Sequence, residues 1–512
     1  MLTTIKSVKV NGIEAVPVTV ECEVSSGIGI HVVGLADAAV KGSLLRTVTA
    51  IQAAGYRIPG KKIVINLAPA DLHKSGSGYD LPIAIGMLSA SEQVGLPDLD
   101  KWLVCGEAGL DGTIRCVDGC VQTVLTAQGS GLKGCIIPSA NADEVGDLVG
   151  TNAPVYAAGS IQEAIDIIKS PKDFPTVGQK AAGKPAASTS PRKSCYESLV
   201  GEEGTRRAVE IAAAGGHNVL LIGPKGSPKQ VIARALTELL PPMTKDETIT
   251  AAKIYSNSGR SYKHYHDYCP RPFRAPHYSA SLSAMFGGGS GDSIRPGEVS
   301  LAHGGVLCLE DINLFPRNTR EGLRAVLEEK KVTISRLRSR ITFPADTQIV
   351  ASCQPCPCGH YGDGEKCTCT EAQRLAYMSK LDSALLERID IQHYTHTRPA
   401  VPAKENTESI EDVRARIAAA REMQRNRFAG TGIRTNAEIP VSMLDSFCPL
   451  DKASARTLEK IITLTGLSAR TYTHILRIAR SIADLEGADD IALAHIAEAS
   501  SFRFLDRRKP TD

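Results

Sequence analysis

The sequence has few aromatic residues and no long uninterrupted apolar run. Aromatic side chains make up 4% of its 512 residues, with a single tryptophan, and no apolar run is long enough to cross a bilayer. Its N-terminal segment lacks the apolar stretch of a secretory signal. We therefore expect a cytoplasmic protein without a membrane partner. With 42% hydrophobic residues, the chain can fill several cores, and at roughly 150 residues per domain its length predicts about three.

A strong excess of one charge is also absent. The chain carries 59 basic and 56 acidic residues, a formal net charge of +3, which neither requires nor excludes a basic stripe for nucleic acid. Its 14 cysteines, without a signal for export, favour reduced thiols over disulfides. A tight cluster among them would then indicate a metal site.

The hydrophobic patterns divide the chain into four segments. Strand-like and helical patterns alternate in two of these segments, a Pro-, Ala-, Ser-, Gly- and Lys-rich stretch joins the two, and the last segment is helical. We predict an α/β multidomain protein with these boundaries: an α/β domain over 1–168, a flexible linker over 169–195, a second α/β domain over 196–400 and a helical lid over 401–512.

A polar turn at residues 223–230 follows an apolar strand and precedes a helix, which is the arrangement that holds phosphate on backbone N–H groups. By itself it matches a phosphate-binding loop poorly, and a purely structural strand–helix turn explains it better. The candidate nucleotide-binding residues are Gly223, Pro224, Lys225, Gly226, Ser227, Pro228, Lys229 and Gln230.

Two further strand ends support the nucleotide interpretation. An apolar strand ends in Glu310 and Asp311, where P-loop enzymes place the acids that organise Mg²⁺ and activate water. A third strand is followed by Gln354, where such enzymes place a polar sensor of the γ-phosphate. An acidic pair alone is more often a solvated strand end. Three matching strand ends in chain order are much less easily explained by chance.

Four cysteines follow Gln354 as two Cys-x-Cys pairs separated by a short polar loop. Cys356, Cys358, Cys367 and Cys369 can surround one Zn²⁺ tetrahedrally, and four protein ligands leave no position for a catalytic water. Packing of four reduced thiols in a core is the alternative, but the stretch is polar and rich in Gly and Pro. We therefore expect a structural zinc site.

Motifs along nearly the whole chain resemble the magnesium-chelatase-like AAA+ ATPases of the YifB/ComM type. The matching segments are HVVGLADAAVK (31–41), INLAPADLHKSGSGYDLPIAIG (65–86), GEAGLDG (106–112), AAAGGHNVLLIGPKGSPK (212–229), RPFRAPHYSAS (271–281), RPGEVSLAHGGVLCLED (295–311), VTISR (332–336), QPCPCGHYGD (354–363), LLERID (385–390) and LSARTYTHILRIARSIADLEG (467–487).

The resemblance implies a hexameric AAA+ ring that binds ATP and acts on DNA, with helicase or branch-migration activity in recombination and natural transformation. It makes residues 223–230 the Walker A loop, Glu310 and Asp311 the Walker B pair, and Gln354 sensor 1. It makes Arg388 the arginine finger that reaches a neighbouring subunit and Arg470 sensor 2 on the lid.

The sequence departs from this pattern at the nucleotide site. Pro228 and Gln230 replace the glycine and hydroxyl residue of the loop, so one N–H donor and one magnesium ligand are lost. A hydrogen bond to a charged partner contributes roughly 1.5–3 kcal/mol. Glu310 and Asp311 reverse the usual order of acids, and a displacement of about 1 Å can slow catalysis about a hundredfold. We expect weak or absent Mg²⁺ binding and very slow hydrolysis of ATP. The alternative is a working site with compensating geometry.

The first segment resembles the Lon-protease-like, S5-type fold, whose peptidase members use a Ser–Lys dyad. The two dyad positions fall on Asp80 and near Val121, and neither can activate a hydroxyl. Lys74, Ser75 and Ser77 are more simply a polar turn, so we expect no peptidase activity. Three roles compete for the whole chain: an ATP-driven DNA translocase, a divergent ring protein with weak hydrolysis, and a non-catalytic subunit of a mixed ring with an active relative. Metal insertion into a porphyrin is the least favoured.

Overall fold

The computed structural model describes residues 1–34, 38–74, 76–148, 150, 152–178, 194–260, 271–290, 293–336, 339–362, 366–381, 383–396, 408–466 and 468–506. These residues form an N-terminal α/β domain, a second α/β domain and a C-terminal helical region. No helix in these ranges is both long and apolar enough to cross a bilayer.

The N-terminal domain is built on a seven-stranded mixed sheet of order β3-β4-β2-β1-β5-β8-β9. The hairpin β1–β2 and the pair β2–β4 are antiparallel, and the other neighbours are parallel. A small hairpin, β6–β7, lies outside this sheet. The strands are β1 (Leu2–Asn11), β2 (Glu14–Ser25), β3 (Gly29–Val33), β4 (Lys62–Ala68), β5 (Trp102–Val104), β6 (Glu107–Ala108), β7 (Ile114–Arg115), β8 (Gly134–Pro138) and β9 (Val155–Ala158).

Both faces of the first sheet are covered, because successive side chains of a strand point to opposite faces. Ile5 and Ile136 face one core, which contains the fully buried helix α2, whereas Val8 and Cys135 face another core around α3. The helices are α1 (Ala38–Ala53), α2 (Asp80–Ala90), α3 (Cys120–Gly129), α4 (Ala142–Val145) and α5 (Ile161–Lys169).

The first domain extends past the boundary predicted at residue 168. The main-chain N–H of Val177 donates to the carbonyl of Val155 at 2.7 Å, and Phe174 packs against the core of the first domain. These residues belong to the stretch predicted as linker. Within that stretch, residues 179–193 lie outside the described ranges.

The second domain contains a five-stranded parallel sheet of order β11-β14-β17-β10-β18. Strands β10 and β14 are buried at every position, as expected when helices cover both faces of a parallel sheet. Two antiparallel hairpins, β12–β13 and β15–β16, accompany the sheet. The strands are β10 (Val219–Ile222), β11 (Phe273–Arg274), β12 (Gly287–Ser290), β13 (Ser293–Pro296), β14 (Val306–Leu309), β15 (Lys331–Ser335), β16 (Arg340–Pro344), β17 (Gln348–Cys353) and β18 (Ile391–Tyr394).

The helices of the second domain contribute to two separate cores on the faces of this sheet, except for Lys245–Asn257, whose apolar residues join the core around α3. They are α6 (Glu203–Gly215), α7 (Lys229–Leu239), α8 (Lys245–Asn257), α9 (Leu282–Phe286), α10 (Glu298–Leu301), α11 (Arg317–Glu329), α12 (Glu371–Met378) and α13 (Ser383–Leu386).

The C-terminal region is helical, as predicted, in its described part. It shares a core with α6, α7 and one face of the five-stranded sheet, so it packs directly on the second domain. Its helices are α14 (Ile410–Arg427), α15 (Leu444–Phe447), α16 (Lys452–Thr465), α17 (Ala469–Leu485) and α18 (Leu493–Ser501).

Candidate nucleotide crevice and cysteine cluster

The three predicted strand ends meet at one edge of the parallel sheet. Ile222 at the end of β10 pairs with Cys353 of β17, and Leu309 at the end of β14 pairs with Ala351 of the same strand. The turn 223–228, the acids after β14 and Gln354 therefore all emerge at the carboxyl edge, where α/β sheets bind ligands. We call this place the nucleotide crevice.

Lys229 points back into the turn that precedes it. It is the first residue of α7, and its ammonium group donates to the carbonyls of Gly223 at 2.9 Å and Pro224 at 3.1 Å. Burial lowers the pKa of Lys229, while the nearby charges of Asp311 and Glu310 act in the opposite direction. The ammonium is thus bonded to the turn and near enough to the acids for their charges to act on it.

The backbone N–H groups of the turn are largely occupied within the protein. Pro224 and Pro228 have none. Four others donate to main-chain carbonyls: Gly223 N–H to Cys353 at 3.2 Å, Lys225 N–H to Gly359 at 2.8 Å, Ser227 N–H to Pro224 at 3.3 Å and Lys229 N–H to Ser227 at 2.8 Å. A loop that cradles phosphate needs these donors for its ligand. The turn would have to rearrange before it could bind a triphosphate in the usual way.

The polar side chains at the other two strand ends are close together. The amide nitrogen of Gln354 lies 3.4 Å from Oδ1 of Asp311, and the left-handed backbone of Asp311 (φ 51°) starts the turn after β14. Glu310 is exposed, as is Gln230 at the start of α7. Asp311 is thus the acid that contacts the predicted sensor.

Arg388 and Arg470 lie together, but not in the nucleotide crevice. Asn218, just before β10, donates to the carbonyl of Arg388 at 3.0 Å, which places Arg388 at the amino edge of the sheet, roughly 16 Å of extended strand from Gly223. Arg470 pairs with Glu387, the neighbour of Arg388. The structure therefore groups the two predicted arginines at the opposite edge.

This arginine pair belongs to a larger basic group. Burial lowers the pKa of Arg388, and the positive charges of Arg324, Arg470 and Arg477 lower it further. Arg388 also forms an ion pair with Glu328. Arg388, Arg470 and Arg477 line a cavity of about 1180 Å³ between the amino edge of the sheet and the helical region. The sequence analysis missed Arg324, which lies outside the matching segments, and Arg477, which lies within the matching segment 467–487.

The four predicted cysteines form one cluster. Their sulfur atoms all lie within 4.8 Å of one another. The Cys356–Cys358, Cys358–Cys367 and Cys356–Cys367 sulfur distances are 3.4, 3.7 and 3.8 Å. Four thiolates about 2.3 Å from one ion define a tetrahedron with edges of about 3.8 Å. The cluster therefore has the dimensions of a four-thiolate metal site.

Hydrogen bonding favours the thiolate at one cysteine of the cluster. The main-chain N–H of His360 is the largest cause that lowers the pKa of Cys358, to about 6. The pKa values of Cys367 and Cys369 in the same cluster are raised. Metal ligation requires the thiolate, so Cys358 is the member of the cluster whose surroundings best suit a metal ligand.

Comparison with protein families accounts for nearly the whole chain. Three family models match in succession: subunit ChlI of Mg-chelatase over residues 20–141, magnesium chelatase subunit ChlI over 195–402, and the C-terminal part of that subunit over 407–503.

Full-length relatives give the same answer. The chain is 39% identical over 505 residues to YifB of Escherichia coli strain K12, covering 97% of this chain and 96% of YifB. Over 503 residues it is 36% identical to the competence protein ComM of Haemophilus influenzae, with the same coverage of each chain. The chain belongs to the YifB/ComM family. The resemblance read from the sequence motifs is confirmed.

In this YifB/ComM family member, the residues at the two positions expected for a peptidase dyad are buried and do not form a Ser–Lys pair. Asp80 is fully buried at the start of α2, where it accepts hydrogen bonds from the Arg46 side chain at 2.7 Å and the Ala108 main chain at 3.1 Å. Val121 is buried in the other core of the domain. Asp80 is therefore a structural ion-pair partner.

The polar turn before α2 in this family member is tied to its own surroundings. Lys74 is buried and donates to the carbonyl of Pro69, and the hydroxyl of Ser77 donates to Glu107. Ser75 lies outside the described residues. Neither described side chain approaches the arrangement of a nucleophile beside a base.

Proposed function

We propose that the chain is a ring-forming AAA+ protein of the YifB/ComM type that binds ATP, acts on DNA in recombination or natural transformation, and hydrolyses ATP slowly or not at all. Full-length similarity to a competence protein supports the biological setting. The meeting of Lys229, Asp311 and Gln354 at one sheet edge supports nucleotide binding.

The proposal of slow hydrolysis is carried by one observation: four N–H groups of the loop donate to carbonyls of the protein itself. Two prolines remove further donors from the same loop. Gln230 offers no hydroxyl to Mg²⁺, and the acid in contact with Gln354 is the shorter Asp311. These features weaken both the hold on the phosphates and the placement of the attacking water, so Mg²⁺ should contribute little.

A steady-state ATPase assay tests this proposal. We expect the native protein and Lys229→Ala to show the same near-background rate. A variant with four substitutions that restore the family residues (Pro228→Gly, Gln230→Thr, Glu310→Asp, Asp311→Glu) should hydrolyse ATP at least tenfold faster. It regains an N–H donor, a metal ligand and the usual order of the two acids. Robust turnover by the native protein that Lys229→Ala abolishes would contradict slow hydrolysis.

A second candidate function is that of a non-catalytic subunit in a mixed ring. The grouping of Arg388 and Arg470 at the edge opposite the nucleotide crevice favours it. Two arginines in this position can contact phosphates bound to a neighbouring subunit even when the crevice of their own subunit does not hydrolyse ATP. Mixing with an active relative should then raise that relative's ATPase rate, and Arg388→Ala should abolish the increase. Arg456→Ala, on another helix of the same region, is the control.

DNA binding separates the two candidates. The DNA-acting ring predicts binding to branched or single-stranded DNA, with the logarithm of the affinity falling linearly with the logarithm of salt concentration, because phosphate contacts release counterions. Fluorescence anisotropy between about 50 and 200 mM salt measures this slope. Co-assembly without measurable DNA binding would favour the mixed-ring subunit.

The cysteine cluster is proposed to hold one structural Zn²⁺. The donor set of four thiolates and the distances between them support zinc. Elemental analysis should find one zinc per chain and about none in the double variant Cys356→Ser/Cys367→Ser. Cys116→Ser, which changes an exposed cysteine outside the cluster, should keep its zinc. An unchanged zinc content in the double variant would contradict the assignment.

The N-terminal domain is proposed to be a Lon-protease-like fold without peptidase activity that serves assembly of the ring or contact with DNA. The burial of Asp80 in an ion pair with Arg46 supports the loss of the dyad. A casein digestion assay should give no cleavage above buffer.

A further inference from the structure

The cysteine cluster and the phosphate loop are in direct contact. The carbonyl of Gly359, one residue after Cys358, accepts a hydrogen bond of 2.8 Å from the main-chain N–H of Lys225 in the middle of the loop. A peptide carbonyl of the protein thus occupies a donor that a triphosphate would use.

The conformation of this carbonyl is set by the cluster. Gly359 N–H bonds back to the carbonyl of Cys356 at 3.1 Å, closing a turn that contains two of the four thiols. Gly359 itself adopts φ +80°, a region that favours glycine. A metal ion that fixes Cys356 and Cys358 therefore also fixes the direction in which Gly359 presents its oxygen.

The turn is packed tightly against the crevice. A Cβ atom built on Gly359 would lie 2.8 Å from Cγ and Cε of Lys225 and 2.6 Å from Oε1 of Gln354. Gln354 in turn lies against Asp311.

We infer that the cysteine turn, when it holds its metal, limits the affinity of the phosphate loop for nucleotide. The Gly359 carbonyl does this by accepting the hydrogen bond of the Lys225 N–H, which is then not available to a phosphate. The inference rests on the proposed nucleotide function and specifies how that site is regulated. Removal of the metal releases the turn, frees the Lys225 N–H and makes one more donor available to phosphate. A hydrogen bond to a charged acceptor is worth about tenfold or more in affinity.

Two measurements on the full-length, zinc-loaded protein test the inference. Hydrogen exchange of the Lys225 amide reports contact with the turn whether or not nucleotide binds. Titration with a fluorescent ATP analogue reports affinity. Zinc removal with EDTA should speed exchange of the Lys225 amide at least tenfold and tighten binding of the analogue about tenfold. Re-addition of Zn²⁺ should reverse both changes.

Two glycine variants provide a matched pair that leaves the thiols unchanged. Gly359→Ala combines a positive φ with the close contacts to Lys225 and Gln354, whereas Gly362→Ala has the same backbone strain (φ +88°) with no atom within 4 Å of the added Cβ. Gly359→Ala should reproduce both effects of zinc removal. Gly362→Ala should behave as the native protein.

The outcomes separate this inference from the proposed function. Unchanged Lys225 exchange after zinc removal, or equal behaviour of the two glycine variants, would overturn the inference. Faster exchange with unchanged affinity would show that the turn docks without limiting nucleotide, which also overturns it. Failure of every form to bind the analogue, with faster exchange, would refute nucleotide binding itself.

Discussion

Lys229 is the side chain on which the nucleotide crevice depends. Its ammonium group is held by two carbonyls of the loop and influenced by both acids after β14. To bind a phosphate, the ammonium group must exchange its hydrogen bonds to those carbonyls for hydrogen bonds to phosphate oxygens. Because a charge-assisted bond is stronger than a bond to a neutral carbonyl, this exchange is favourable, but the neighbouring N–H groups must be released as well.

His393 on β18 is expected to make stability depend on pH. Burial is the largest cause that lowers the pKa of His393, from 6.5 to about 4. Above pH 6.5 the folded and unfolded chains both hold it neutral. As the pH falls from 6.5 to 4, the unfolded chain binds a proton that the folded protein does not, so stability is lost by up to roughly 3 kcal/mol.

His393→Asn should remove that loss while keeping a polar group near its partner Thr205, whose Oγ1 lies 2.8 Å from Nε2 of His393. Calorimetry at several pH values between 4 and 7 gives the unfolding midpoint of each protein. The native midpoint should fall more steeply toward pH 4 than that of the variant. His31→Asn, at an exposed position on β3, should follow the native curve; parallel curves for native protein and His393→Asn would refute the effect.

At the scale of elements, α17 is the helix that fastens the C-terminal region to the sheet. His474 on this helix contacts Oδ1 of Asp390 at 2.7 Å, and Asp390 also accepts from the main-chain N–H of Asn218 at 3.1 Å. Burial alone would raise the pKa of Asp390, but the His217 and His474 imidazoles hold it well below its usual value. One buried carboxylate therefore joins α17 to the start of β10 and β18.

Asp390→Ala should destabilise the protein severely, because it leaves His474 and the Asn218 N–H buried without their acceptor. Breaking a buried pair costs about 3–5 kcal/mol, seen as a lower unfolding midpoint. Arg470→Ala removes an ion pair with Glu387 from the same helix, but Arg470 is 69% exposed, so it should cost about 1 kcal/mol or less. Similar losses in both variants would contradict the role of Asp390.

At the scale of the whole molecule, the first two domains share a core. Val8 and Cys135 of the first sheet pack with Ala251 and Tyr255 of α8. Polar contacts accompany this packing: the buried amide of Gln122 donates to the carbonyls of Gly12 at 3.1 Å and Lys253 at 2.9 Å. The N-terminal domain is therefore held against the second α/β domain by a specific interface.

Gln122→Ala should loosen this interface, because it removes the side-chain donor to the buried Gly12 carbonyl, at roughly 1–3 kcal/mol, and the bond to the Lys253 carbonyl of α8. We expect faster hydrogen exchange along α8 and two resolved unfolding transitions in calorimetry. Gln128→Ala removes a bond to the Ala153 carbonyl, within the first domain, and should leave α8 exchange unchanged. Equal exchange in both variants would exclude the proposed contribution of Gln122 to docking.

Much of the candidate site could be predicted from local sequence. Strand β10 and the turn after it, the acids after β14, and Gln354 after β17 were each recognisable because apolar strands end in polar residues. The extension of the first domain to Val177 was not, since Phe174 packs on its core from a stretch of linker-like composition. The position of Arg470 was likewise hidden, because a helix pattern does not say which edge of a sheet the helix end reaches.

By itself, the sequence determined the family, the order of elements and the chemical identity of the altered nucleotide site, since these depend on residue types at short spacings. Only the tertiary structure decided that four of the loop N–H groups donate to carbonyls of the protein, that Gly359 contacts Lys225, and that Arg388 and Arg470 share the opposite edge. Those contacts join residues far apart in the chain, and they follow from a strand order that places β10 between β17 and β18.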